Sequence, residues 1–365
     1  MSGLPERSIA VVLGTRPEAV KLVEVVERLG AAAWILHTGQ HYDSSLGSAV
    51  LEGIGFPDPH EHLGLGGGTR ASQMGRGVEA LGAAFERHRP LAVVVQGDTN
   101  AVAAGALAAN AHDIPVVHVE AGLRSFDRRM PEEHNRVVTD HLSELCCAPT
   151  SVAAANLDAE RIPHERVVVT GNTVVEAVQR LTPAPAERAA VLHAHGVSAG
   201  GYVLSTIHRP ENTDDPAALS AVLSALASLP VPVLLPAHPR TRAAAERFGL
   251  TSLLDRLHAF EPLPPRDFLA LTAEAAVLVS DSGGVQEEVS VLKRPLVVVR
   301  RSTERPEVLG TFSELSAPTE IADRVARILS DLPAVLEALS KLDSPYGTGD
   351  ASRLTVEAIE HLVGS

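Results

Sequence analysis

The sequence predicts an α/β protein built of two Rossmann-like, doubly wound lobes with a cleft between them. Three observations carry this expectation. The chain has 365 residues, 45% of them hydrophobic, which is more than one core usually organises. Short β-branched apolar runs alternate with helical patterns along most of its length. Those runs are nearly continuous in apolar residues, as strands covered on both faces of a parallel sheet must be.

In chain order, SIAVVLG, AAWILHT, LAVVVQG, PVVHVE, ELCCAP and RVVVTG predict the strands of a first lobe. YVLSTIH, VPVLLPA, LHAF, AVLVSD and PLVVV predict those of a second. The stretch from Gln179 to Gly200, with LTPAPAE and GVSAGG, reads as helix and linker at the junction. SPYGTGDA is a second turn-rich break, and ASRLTVEAIEHLV after it reads as a terminal helix. No internal repeat, low-complexity tract or heptad pattern interrupts this plan.

Composition excludes several classes of function. A formal charge of −14 repels nucleic acid and anionic lipid, so neither is an expected partner. An aromatic fraction of 3% argues against a stacking platform for bases. No apolar run approaches the roughly 18 residues of a membrane span, and MSGLPERSIA has no basic region leading into a long apolar run, so the expected location is cytoplasmic. Cys146 and Cys147 are neighbours in LCCAP, with no other cysteine to pair with, and are expected as buried free thiols. No compact metal-ligand spacing such as HExxH or paired CxxC is present, so no metal site is expected.

In open parallel sheets, ligands sit beyond the carboxyl ends of the strands. The residues just after the apolar runs are GTRPE, GQHYD, GDTNA, EAGLRS, HRPEN, HPRT and DSGGVQEE, far more polar and cationic than loops require. In GTRPEAVKL, Thr15 and Glu18 have the spacing of a capping box, with Pro17 in the first turn. Capping leaves Arg16 and Lys21 unexplained, and two cations at a helix start suit a pyrophosphate. In DSGGVQEE, Gly283 and Gly284 would let backbone N–H groups approach a diphosphate, and Glu288 could accept ribose hydroxyls. The alternative is a tight turn with an acidic first turn facing the helix dipole.

Three carboxylates stand at first-lobe strand ends or helix starts: Asp98, Glu120 and Glu132. Asp98 could instead cap the following helix, and Glu132 with Glu133 could favour a helix N-terminus. Glu120 closes an apolar strand, where an unpaired carboxylate costs several kcal/mol, so a ligand or an arginine such as Arg124 or Arg136 must compensate it. In the second lobe, His208, Arg209, His238 and Arg240 end strands and favour phosphate or sugar contacts.

Taken in order, GTRPEAVK, GQH, GDT, HVEAGLRS, PEEHNR, GNTV, HRPEN, DSGGVQEE and TERPE resemble the non-hydrolysing UDP-N-acetylglucosamine 2-epimerase family over almost the whole chain. The resemblance implies lobes of the glycosyltransferase-B type, divided as residues 1–173, 174–347 and a helix 348–365 crossing back to the first lobe. It implies reversible conversion of UDP-GlcNAc to UDP-ManNAc through UDP elimination to a 2-acetamidoglucal and re-addition. No cofactor is implied, and the expected assembly is a homodimer. Asp98, Glu120 and Glu132 match the family's acid–base carboxylates, and His208 the histidine near the departing diphosphate. Arg16, Lys21, Arg136, Arg209 and His238 match polar positions around sugar and phosphates, while Ser282, Gly283, Gly284 and Glu288 match the UDP-binding turn. Gln40 and His41 match part of an allosteric substrate site. The chain departs from the family around them, in YDSSLGS and GLGGGTRASQ, which predicts weak or absent activation by substrate. The rival readings are a glycosyltransferase of the same architecture, a hydrolysing epimerase, an epimerase of a modified UDP-sugar and a noncatalytic nucleotide-sugar sensor.

Overall fold

The computed structural model describes residues 7–39 and 48–364, which divide into two compact units. One runs through Ala177 and resumes at Tyr346; the other is Val178–Pro345. Each is built on its own parallel sheet.

The sheet of the first unit contains β1 (Ile9–Leu13), β2 (Ala33–His37), β3 (Glu61–His62), β4 (Ala92–Gln96), β5 (Val116–Val119), β6 (Leu145–Ala148) and β7 (Val167–Val169). Their order is β3-β2-β1-β4-β5-β6-β7, all parallel. The second unit contains β8 (Val203–Thr206), β9 (Val233–Pro236), β10 (His258–Phe260), β11 (Val277–Ser280), β12 (Leu296–Val298) and β13 (Ser313–Leu315). Their order is β10-β9-β8-β11-β12-β13, again all parallel. In both sheets the chain starts in the middle, winds one way, then returns to wind the other. The place where direction reverses leaves a crevice at the strand ends. It lies beside β1 and β4 in the first unit and beside β8 and β11 in the second.

Apolar runs form these strands because both sheet faces are covered by helices. In the first unit, Val12, Trp34, Leu36, Val93 and Val95 pack with Leu81, Phe85 and Val102 from helices Arg70–His88 and Asn100–Ala111. A side chain at Gly77 would stand 2.9 Å from Ala104 Cβ, so glycine there lets those two helices touch. In the second unit, Val203, Leu235, Val277, Val279 and Val297 pack with Leu219, Val222, Leu223, Ile321 and Val325. Cys146 and Cys147 are buried free thiols; burial raises both, Cys147 to about 12.

The terminal helix Ala351–Gly364 packs against helix Arg16–Leu29 within the first unit. Its start is fixed by Ser352 N–H donating to Glu176 Oε1 at 2.7 Å. All eleven runs read as strands in the sequence are strands. β3 and β13 are additions: Glu-His and Ser-Glu-Leu carry no apolar run, and each joins a sheet edge through its one neighbour. Among the described residues, no helix is long and apolar enough to cross a membrane.

Candidate active site

The centre of the first unit's crevice is Glu120, immediately after β5. Its φ is +73°, in the left-handed region that a residue with a Cβ enters at a cost of about 1 kcal/mol or more. The backbone is held there because the N–H groups of Glu120 and Ala121 both donate to the carbonyl of Cys147, each at 3.1 Å. This turn keeps the carboxylate, 4% exposed, inside the crevice. Lys21 Nζ donates to Oε1 at 2.7 Å, Asn172 Nδ2 donates to the same oxygen at 3.1 Å, and Gln96 Nε2 donates to Oε2. The cation beside it is therefore Lys21, where the sequence pointed to a ligand or an arginine.

The two arginines are engaged elsewhere. Arg124 bonds Glu160 and Asp140, each at 2.7 Å. Arg136, on helix Pro131–Leu142, donates to Asp98 Oδ2 at 2.5 Å and to Glu133 Oε2 at 2.6 Å. Arg136 thus steadies Asp98, whose carboxylate is 29% exposed and the more open of the two acids. Asp98 does not cap the next helix: Thr99 does, accepting from Val102 N–H. Glu133 is more than a dipole partner, since it accepts the N–H groups of Ser125 and Phe126 at 3.0 and 2.8 Å and shapes the loop after β5. Glu132 lies half-buried in the first turn of the same helix.

The expected capping box at Thr15 is also rearranged. Glu18 accepts Gly14 N–H at 3.1 Å and the Thr15 hydroxyl at 2.6 Å, while Thr15 itself caps nothing. The other carboxylate oxygen accepts the Thr99 hydroxyl at 2.9 Å, tying the turn after β1 to the turn after β4. Burial pushes this carboxyl up to about 7, against the hydrogen bonds that favour its charge. Arg16 begins the helix at this junction, half-buried.

The second unit's crevice is organised by Asp281, fully buried just after β11. It accepts the N–H groups of His208 and Arg209 at 3.0 and 2.9 Å and the Asn212 amide at 3.0 Å, and His208 Nδ1 lies 3.1 Å away. Burial raises this carboxyl, but His208, Asn212 and the Arg209 N–H outweigh it and hold the group below the usual range. The result is a loop that presents His208, with the His238 ring centred 5.6 Å from its own. His238 also caps its helix by accepting Arg240 N–H at 3.1 Å.

Ser282 starts helix Gly283–Leu292, and its side chain makes no capping bond. The two glycines differ in role. A Cβ at Gly283 would stand 2.8 Å from Arg305 and 2.9 Å from Glu304, so this glycine makes room for the protein's own ion pairs. At Gly284 the nearest atom would be Glu288 Oε1 at 3.9 Å, which leaves the helix start open to a ligand. Glu304 is buried between Arg300 and Arg305, and Arg305 also bonds Glu287 at 2.7 Å.

Each crevice thus has its own make-up: hydrogen-bonded carboxylates in the first unit, an open helix start with a histidine backed by Asp281 in the second. A model of the UDP-N-acetylglucosamine 2-epimerase family matches residues 24–360. The chain belongs to that family. A UDP-N-acetylglucosamine 2-epimerase of Methanococcus maripaludis is 37% identical, over 96% of this chain and 98% of its own. A UDP-2,3-diacetamido-2,3-dideoxy-D-glucuronate 2-epimerase of Pseudomonas aeruginosa is 36% identical over 97% and 99%. The crystal structure of Methanocaldococcus jannaschii UDP-GlcNAc 2-epimerase in complex with UDP-GlcNAc and UDP is 34% identical, with a TM-score of 0.87 over 97% and 99%.

In this epimerase, Arg16, Lys21, Asp98, Glu120, Glu132 and Arg136 all belong to elements around the first crevice. His208, Arg209, His238, Ser282, Gly284 and Glu288 stand around the second. Gln40 and His41 lie outside the described residues. Sequence reasoning missed Gln96, Asn172 and Asp281 as partners of the site. Their signals were present: each ends or follows an apolar run, in VVVQG, VTGN and LVSD.

Proposed function

We propose that the epimerase interconverts UDP-N-acetylglucosamine and UDP-N-acetylmannosamine by eliminating UDP and adding it back. The observation that carries this reading is Glu120, a carboxylate forced into a left-handed backbone conformation and held in the first crevice by Lys21, Gln96 and Asn172. Other non-glycine residues also have positive φ, but at Glu120 the strain coincides with a buried carboxylate held by three side chains, a pairing that points to function.

The C2 proton of the sugar is not acidic. The bond from C1 to the diphosphate oxygen must therefore break, its electron pair leaving with UDP, so that positive charge builds beside C2. A carboxylate then takes the C2 proton, the C–H electrons form a C1–C2 double bond, and a 2-acetamidoglucal results. A proton delivered to the other face of C2, with UDP returning to C1, completes the inversion. Asp98, Glu120 and Glu132 do the proton work. The helix start at Ser282 and Gly284, with Arg209, stabilises the departed diphosphate. His208, oriented by Asp281, donates to the leaving oxygen.

Asp98→Asn, Glu120→Gln and Glu132→Gln should each lower turnover by about a hundredfold or more, with UDP affinity little changed. Near-normal turnover in any one removes that residue from the mechanism. The Pseudomonas relative favours a second reading, in which the preferred sugar is a modified UDP-N-acetylhexosamine. A higher kcat/KM with the diacetamido uronate than with UDP-N-acetylglucosamine would establish it. The homodimer also stands as a proposal, checked by a solution mass of twice 38.4 kDa.

A further inference from the structure

His118 lies on β5, two residues before Glu120, and is wholly buried. Its Nε2 stands 2.8 Å from the carbonyl oxygen of Gly97, the residue before Asp98. Its Nδ1 stands 2.6 Å from Asp140 Oδ1. A carbonyl can only accept and a carboxylate accepts, so both bonds form only when both ring nitrogens carry hydrogen. Asp140's other oxygen accepts the N–H of Gly122 at 3.2 Å and bonds Arg124 at 2.7 Å. Arg124 in turn reaches Glu160. His118, Asp140 and Arg124 are buried together while Glu160 is 26% exposed, and with hydrogen on both ring nitrogens the charges of the four balance.

These contacts converge on the two turns that bear the candidate acids. Gly97 has a φ of +81°, its N–H donates to Val119 O at 3.0 Å, and its carbonyl accepts from His118, so β5 grips both sides of this peptide turn. Gly122, two residues after Glu120, is fixed through Asp140, which lies on the helix carrying Glu132 and Arg136. We infer that His118 is a positioning residue: through the Gly97 carbonyl and Asp140 it sets the turns that aim Asp98 and Glu120. It touches no substrate in this account. The inference rests on the reading of Asp98 as an acid–base group.

Two substitutions divide its bonds. His118→Gln keeps a donor for the Gly97 carbonyl, whereas His118→Asn keeps one for Asp140 and leaves that carbonyl bare. His118→Asn should lower kcat about a hundredfold, the scale of misplacing a reacting group by about 1 Å, and His118→Gln about tenfold or less. KM and calorimetric UDP affinity should stay within about twofold of wild type in both, a split that general loss of structure would not produce. The double variant Asp98→Asn/His118→Asn should fall within about twofold of Asp98→Asn alone, because the two losses act through one group. Equal losses in the two His118 variants, an unchanged kcat in His118→Asn, or full multiplication in the double variant would overturn the inference. If Asp98→Asn alone turns over normally, the reading of Asp98 fails; if it falls while His118→Asn does not, only the positioning fails. Nitrogen-15 histidine NMR on the wild-type enzyme needs no variant to fold: both ring nitrogens of His118 should carry hydrogen, and a bare Nε2 would refute the inference.

Discussion

Replacing Lys21 by Met tests the energetic centre of the first crevice. The pair Lys21–Glu120 is 2.7 Å long, with side chains 10% and 4% exposed. Removing the cation leaves a buried carboxylate, a loss of roughly 3–5 kcal/mol if it stays charged. The alternative is to take up a proton. An unfolded glutamate ionises near about pH 4.3, and each unit above that costs about 1.36 kcal/mol. Protonation thus caps the destabilisation at about 1 kcal/mol at pH 5 and about 4 kcal/mol at pH 7. The sign follows: the variant's folded state holds a proton that its unfolded state releases, so its deficit grows as pH rises. Trp34 is the sole tryptophan and is buried in the first unit, so its fluorescence during urea unfolding reads that unit. A deficit below about 1 kcal/mol at pH 7, or one equal at both pH values, would refute the claim that Lys21 holds Glu120 charged.

Glu18 gives a second pH dependence. Its carboxyl is raised from 4.5 to about 7, so the wild type loses stability as pH climbs through that window, by up to about 3 kcal/mol. The stability of Glu18→Gln relative to wild type should improve by about that much between pH 4.5 and 8, and a flat difference would sink the assignment. The two glycines should separate structure from binding. Gly283→Ala must displace buried ion pairs and should cost about 1–3 kcal/mol. Gly284→Ala should stay within about 0.5 kcal/mol of wild type while weakening UDP in calorimetry; a larger stability loss at Gly284 than at Gly283 would contradict the division of roles.

The fold was legible because strands buried on both faces leave a compositional trace, and eleven runs carried it. β3 and β13 left none, being short edge strands whose pairing comes from the neighbouring strand. A polar residue after an apolar run singled out Asp98, Glu120, His208 and Ser282 as candidates, while the same signal at Gln96 and Asp281 was passed over. Partnership was not legible. Glu120 lies 99 residues from Lys21 and 52 from Asn172, and parallel strand ends bring them together in space. A local reading instead reaches for Arg124, four residues on, which the fold commits to Asp140 and Glu160. His118 looked like strand filling in PVVHVE, since nothing in a single strand shows which turn its ring will reach. Gly283 and Gly284 were indistinguishable as a pair; only the packing of Glu304 and Arg305 against one of them separates their roles.

The most direct test of the account is proton NMR of UDP-N-acetylglucosamine incubated with the purified protein in deuterated water, without acceptor, nicotinamide or added metal. The account predicts UDP-N-acetylmannosamine carrying deuterium at C2, with deuterium also entering the C2 position of the recovered starting sugar. Epimer formed with protium retained at C2, or no epimer despite demonstrable UDP binding, would contradict it.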